Sequence, residues 1–247
     1  MKQFSRILSY PITVLFYFCF GLILLVFHPL QWVSFNLFGY QGHKKVVDCF
    51  NWFIIRSLHI LGTTFKVTRT KDIPQGVPLI IISNHQSLWD ISPLSWFLRR
   101  NHPKFVSKQE LGKGIPSVSY NLNHGGSVLI DRKNPRQALT EMVKFAKYLV
   151  KFNRSGVIFP EGTRSKTGKL RPFHRTGLLT LFKKAPDAYI LPVTINNSWR
   201  LQRYGMFPMP LGICLKLHFH PVVKISDHDP DLLIDLVEKT IKSKVDS

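Results

Sequence analysis

His85 and Asp90 stand five positions apart in the run Asn84-His85-Gln86-Ser87-Leu88-Trp89-Asp90, directly after the apolar stretch Leu79-Ile80-Ile81-Ile82. A neutral imidazole is the usual side chain for taking a proton near neutral pH. A carboxylate on its other nitrogen fixes the tautomer and stabilises the imidazolium. On one continuous α-helix a spacing of five would set the two side chains about 140° apart. A working pair therefore requires His85 in the turn leaving a strand and Asp90 in the next element. Ser83, Asn84 and Ser87 supply suitable turn and cap residues. By itself the spacing is weak evidence, because most such histidines are simply satisfied near a helix start. A second polar run, Phe159-Pro160-Glu161-Gly162-Thr163-Arg164-Ser165, ends another predicted strand, where ligand-binding loops of α/β folds cluster. Arg164 there, and Arg132 upstream, offer planar forks that grip phosphate oxygens bidentately. Gly162 permits close backbone approach to a phosphate. Ser83 and Ser87 lie near His85, yet no Gly-x-Ser-x-Gly elbow accompanies them, and Ser87 reads as a turn or cap residue.

Two further runs complete a set of four in order: Gly126-Ser127-Val128-Leu129-Ile130-Asp131-Arg132 and Leu191-Pro192-Val193-Thr194-Ile195. Together the four blocks resemble the glycerolipid acyltransferase superfamily and, within it, the 1-acyl-glycerol-3-phosphate acyltransferases. The resemblance runs from about Val77 to Asn197. It departs at Phe173-His174-Arg175-Thr176-Gly177, where the family usually has a Phe-Lys-x-Gly-like run and Arg175 is left to supply a similar charge. The resemblance implies direct transfer of an acyl group from a thioester to a secondary hydroxyl. His85 is then the base and Asp90 its orienting partner. The acceptor's glycerol phosphate falls to Lys108, Arg132, Glu161, Gly162, Thr163 and Arg164, with Glu161 ordering the loop or bonding acceptor hydroxyls. Pro192 shapes the strand and the acyl site. The implied substrates are lysophosphatidate (lysophosphatidic acid), giving phosphatidate, and acyl-CoA or acyl-carrier protein, with no cofactor and no metal. A rival acceptor is a lyso-ornithine lipid or another lysophospholipid.

The net charge is +20, and between Ile91 and Ser226 there are 23 Lys or Arg against 5 Asp or Glu. Such a field attracts polyanions, either nucleic acid or an anionic bilayer. A non-catalytic anionic-lipid or nucleic-acid binder would explain that charge, but neither the His-Asp pair nor the Glu-Gly-Thr-Arg run. The N-terminus decides for anionic membrane lipids and against nucleic acid. No Asp, Glu, Lys or Arg occurs from Ile7 to His43, and Ile7–Phe27 covers the roughly 20 residues of a spanning helix. His28-Pro29 is expected to break that helix, and a second helix is expected from His43 to about Leu61. Lys2 and Arg6 before the apolar run, with Lys44 and Lys45 after it, favour a hairpin entering and leaving on one side. This sets residues 1–62 as a membrane-anchoring hairpin on the cytoplasmic face of the inner membrane. Residues 63–247 form the catalytic domain. Cys19, Cys49 and Cys214 read as buried thiols in a reducing compartment.

The remaining pattern alternates strands and helices. Strands are expected at Phe65–Arg69 on an edge, Val77–Ile82, Phe105–Ser107, Ser127–Ile130, Val157–Phe159, Tyr189–Ile195 and a long one at Ile213–Ile225. Helices should follow Asp90, Asn134-Pro135 and Asp229-Pro230, and His124-Gly125-Gly126 reads as a flexible turn. The fold class is α/β, a mixed, largely parallel sheet sandwiched by helices. His218 and His220 share a strand face without a completing carboxylate or Cys, so they are ordinary polar-face histidines.

Overall fold

The computed structural model describes residues 2–246, with side chains from Ser5 onward; the Lys2 side chain invoked above lies outside the described residues. Eight strands form the sheet: β1 (Thr64–Arg69), β2 (Leu79–Ser83), β3 (Pro103–Lys108), β4 (Val128–Ile130), β5 (Ser155–Ile158), β6 (Tyr189–Asn196), β7 (Cys214–Phe219) and β8 (Val223–Lys224). Their order is β1-β7-β6-β2-β5-β3-β4, with β8 beside β6. Pairs β1–β7, β6–β2, β2–β5, β5–β3 and β3–β4 are parallel, whereas β7 and β8 meet β6 antiparallel. The expected mixed, largely parallel sheet is present, with β1 on its edge.

Strand β2 is buried over its whole length, as its unbroken apolar run requires of a strand covered on both faces. Its side chains alternate between two cores. Leu79 and Ile81 face a cluster that includes Trp89, Leu94 and Phe16, whereas Ile80 and Ile82 face Met142, Phe145, Leu178 and Leu233. The second cluster is built by α4 (Pro135–Phe152), α5 (Arg175–Lys184) and α6 (Pro230–Lys242). The first is covered by the N-terminal helical run α1 (Lys2–Leu58) with α2 (Ile91–Phe97), and α3 (Val118–His124) packs beside α1. Asn134 caps α4 by accepting from the Gln137 N–H, with Pro135 in the first turn. Asp229 caps α6 likewise ahead of Pro230.

The N-terminal run is a helical hairpin, but its break is not at His28-Pro29. Pro29 lies inside the helix, and the one residue with non-helical dihedrals is Gly39, at φ 60° and ψ −153°. Glycine enters that region without the Cβ clash other residues suffer. Ser117 clamps the turn before Pro29: its hydroxyl donates to Leu24 O and its N–H to His28 Nδ1. The limbs fold back so that Phe27 meets Phe50 and Phe53 at ring separations of 5.6 and 5.5 Å. The most apolar window of the run has mean hydropathy 2.3, and only 17% of it is buried by the rest of the chain. Outward-facing Ile7, Val14, Phe18 and Leu25 are exposed.

Three smaller expectations are corrected. The long Ile213–Ile225 strand is two strands: the His220 N–H makes the last bond of the β7 ladder, to Pro192 O, neither Pro192 nor Pro221 has an N–H to continue it, and β8 meets β6 in a register shifted by one residue. His124 is the last residue of helix α3, so the expected turn is confined to Gly125-Gly126. The three cysteines are unpaired as expected but are not buried, and Cys49 is exposed.

Candidate active site

Strand β2 ends at Ser83, and the chain turns through Asn84 to Gln86 into a short 3-10 turn, Leu88–Asp90. That turn brings Asp90 back beneath His85. Ser87 accepts from the Trp89 N–H, and Asp90 Oδ2 accepts from the N–H groups of Gln86 (2.7 Å) and Ser87 (3.0 Å), a reciprocal cap. The same oxygen lies 2.8 Å from His85 Nδ1. Asp90 is fully buried, so its carboxyl oxygens need these donors. A fourth comes from far along the chain: the Ser198 hydroxyl donates to Asp90 Oδ1. The two backbone N–H groups and the Ser198 hydroxyl set both carboxyl oxygens as acceptors, which puts the imidazole proton on Nδ1. His85 Nε2 is left as a lone-pair acceptor, with no hydrogen bond among the described residues.

The second block holds the backbone of His85 on both sides. The His85 N–H donates to Glu161 Oε1 at 2.7 Å, and the Ser165 N–H donates to His85 O at 2.8 Å. The other oxygen of Glu161 accepts from the Arg171 N–H at 2.9 Å. Burial pushes the Glu161 carboxyl up to about 7, against the pull of these two N–H bonds toward the anion. The Phe159 ring stacks on the imidazole at 4.1 Å and 17°. Asn84 ties the first block to the fourth as a strand would, donating to Ile195 O and accepting from Ile195 N–H. Ser83 is occupied with its neighbour's carbonyl and Ser87 with the cap.

The structure brings most of the remaining expected residues to this same end of the sheet. Gly162 sits in the left-handed region at φ +67°, and a Cβ there would come within 2.9 Å of the His174 ring. Only glycine fits both constraints. Arg132 reaches across from the loop after β4, and its guanidinium donates to Gly162 O; it does not pair with Asp131, which accepts from the Lys133 N–H. Thr163, Arg164 and Lys108 are exposed, and among the described residues neither Arg164 nor Lys108 enters an ion pair. Pro192 is buried inside β6 opposite Ile82, one register step before Ser83 meets Val193. Arg175 does not supply a charge to this end, because Asp231 and Asp235 of α6 hold it in ion pairs. His220 Nε2 lies 2.8 Å from Thr194 Oγ1, a satisfied structural histidine.

Sequence reasoning missed Ser198, the backbone ties of Glu161 and the strand-like pairing of Asn84. Glu161 and Asn84 stood in quoted runs, whereas nothing in the spacing of Ser198 marks it. Trp89, within the first block, packs edge-on against Phe16 (5.3 Å) and Phe20 (5.4 Å) of the hairpin, so the helical limb touches the residue next to Asp90.

The sequence matches the model of the Acyltransferase family over residues 64–196, more than half of the chain. It is 29% identical over 233 residues to a 1-acyl-sn-glycerol-3-phosphate acyltransferase of Cocos nucifera, covering 94% of this chain and 69% of that one. A protein of the same name from Borreliella burgdorferi is 28% identical over 194 residues, covering 77% and 75%. The crystal structure of the 1-acyl-sn-glycerophosphate acyltransferase PlsC of Thermotoga maritima superposes with a TM-score of 0.77 at 25% identity, covering 99% of this chain and 96% of that one. With the sheet, the paired motifs and these likenesses in agreement, the chain belongs to the Acyltransferase family.

Proposed function

We propose that this chain transfers a fatty acyl group from a thioester, acyl-CoA or acyl-carrier protein, to the 2-hydroxyl of 1-acyl-glycerol 3-phosphate, forming phosphatidate. The observation that carries the reading is the His85–Asp90 pair, with Nδ1 engaged at 2.8 Å and Nε2 without a hydrogen bond among the described residues. Nε2 takes the hydroxyl proton as the oxygen attacks the thioester carbonyl, and Asp90 stabilises the resulting imidazolium. Collapse of the tetrahedral intermediate breaks the C–S bond, and the departing sulfur receives the proton from Nε2. A base of this kind contributes about 10²–10⁴-fold, so positioning of the two substrates supplies much of the rest.

Lys108, Arg132 and Arg164 form the cationic rim for the acceptor phosphate, and the backbone at Gly162 and Thr163 approaches it closely. Glu161 acts by holding the His85 backbone. Residues 1–62 anchor the chain to the cytoplasmic leaflet of the inner membrane, and residues 63–247 form the acyltransferase domain. The relatives named above support the acceptor assignment. Purified protein supplied with radiolabelled acyl-CoA and a panel of lyso-lipids tests it. Product should form fastest with lysophosphatidate; faster transfer to a lyso-ornithine lipid or a lysophospholipid lacking the terminal phosphate contradicts the acceptor.

A further inference from the structure

The limbs of the hairpin are unequal. The first runs from Lys2 to Gly39 and the second only from Gly39 to Leu58, so the second limb cannot flank the first N-terminal to about Phe20. That flank is taken by the loop after the 3-10 turn Ser198–Gln202. Phe207 packs edge-on against Tyr10 at 5.5 Å, the Tyr17 hydroxyl donates to Met206 O, and the Met209 N–H donates to Thr13 Oγ1. Arg6 lies over the Tyr204 ring at 5.1 Å. The loop is therefore moored along the limb, yet Tyr204, Met206 and Phe207 remain 44%, 46% and 48% exposed. Phe207 joins the loop to Tyr10, which is itself 42% exposed on the first limb.

Charge specifies what covers this face. No Asp or Glu occurs between Asp187 and Asp227, and Arg200 and Arg203 stand exposed at the root of the loop. Aromatic and sulfur side chains flanked by arginines suit the boundary of an anionic bilayer, where ring bodies sit among acyl chains and guanidinium groups reach headgroup phosphates. A water-facing loop would gain nothing from three adjacent half-exposed apolar side chains. We propose that the Tyr204–Phe207 loop is a second bilayer-insertion element, docking beside the hairpin on an anionic lipid surface. This rests on the membrane reading of residues 1–62 and extends it to a segment of the catalytic domain. The same loop is rooted in the turn that carries Ser198 to Asp90, so the docking point and the reacting pair share one short element.

Environment-sensitive fluorophores on single cysteines test this in the full chain, with Cys19, Cys49 and Cys214 replaced by alanine. Labels go at Phe207→Cys and Met206→Cys in the loop, at Phe18→Cys on the outward face of the first limb and at Leu232→Cys on α6. Vesicles of phosphatidylcholine with phosphatidylglycerol are then added. The expected result is a blue shift at 206, 207 and 18 that lipid-borne nitroxides quench, with no shift at 232. Aqueous emission at 206 and 207 beside a shifted label at 18 overturns the proposal while leaving the hairpin anchor standing. Aqueous emission at 18 as well overturns the anchor reading and the proposal together. An equal shift at 232 overturns the proposed orientation.

Discussion

The Ser198 hydroxyl donates to Oδ1 of Asp90 across 108 residues of sequence, so the carboxylate that orients His85 is itself oriented from beyond the fourth motif. Its other oxygen carries the His85 contact and two backbone N–H bonds. Replacing Ser198 by alanine leaves Oδ1 buried without that donor. A hydrogen bond to a charged group is worth about 1.5–3 kcal/mol, so kcat should fall about tenfold or more. Because Ser198 is fully buried and acts through Asp90, both KM values should stay within about twofold. In an Asp90→Asn background Ser198→Ala should cost little more, since the charge it serves is gone. Fully additive losses would mean that Ser198 acts elsewhere.

Glu161 holds two segments with one carboxylate, the turn at His85 and the loop at Arg171. Glu161→Gln retains one acceptor oxygen and turns an amide N–H₂ toward a backbone N–H. Loss of one tie and the new clash should lower kcat by about 10- to 100-fold. Unchanged turnover in the glutamine variant would show that the motif contacts alone keep His85 in place.

Arg132 and Arg164 should separate kinetically. Arg164 carries no ion pair among the described residues, so Arg164→Ala should mainly raise the KM for the phosphate-bearing acceptor, by about tenfold for one lost charge-assisted contact. Arg132 also donates to Gly162 O and braces the loop, so Arg132→Ala should lower kcat too. Steady-state kinetics with each substrate varied in turn gives the answer. Effects confined to the thioester donor would assign both arginines to the wrong substrate.

Lys104 of β3 is 7% exposed and faces the hairpin, its ammonium over the Tyr40 ring at 4.8 Å. It lines a cavity of about 20 Å³ with His43, Asp48 and His102, room for a single water. Burial, with Arg154 nearby, lowers its ammonium from the ordinary 10.5 to about 7. The folded state therefore gives up this proton at lower pH than the unfolded state does. Its destabilising contribution grows as pH falls from 10.5 toward 7 and is complete below that. Lys104→Met should raise the midpoint of thermal unfolding in detergent at neutral pH, by about 1–4 kcal/mol of stability. The gain should shrink toward about pH 10. An equal gain at both pH values would remove the charge explanation.

The reacting pair was legible because its geometry is local: a strand, a turn with cap residues and a carboxylate five positions on. The sheet was legible for a related reason, since β2, β5 and β6 are short apolar runs bounded by polar turns. What escaped depended on neighbours distant in sequence. Pro29 reads as a helix breaker, yet Ser117 secures the turn before it and Gly39 makes the bend. The alternation of Ile213–Ile225 runs through Pro221 without showing that the ladder to β6 stops there and resumes one residue out of register. Helix α5 carries Gly177 and spans only ten residues, too weak a period to stand out. Ser198 has no periodicity or motif around it, and only the folded sheet brings it to Asp90.

If His85 is the base, its loss must show in the initial rate of His85→Ala on lysophosphatidate with a radiolabelled acyl-CoA. The side chain lies in a turn beneath the Phe159 ring and anchors neither core, so the variant should keep its melting temperature and its membrane association. Turnover should fall by about 10²–10⁴-fold, the usual contribution of a positioned general base. Retention of more than about a tenth of the wild-type rate, with the fold intact, would contradict the account.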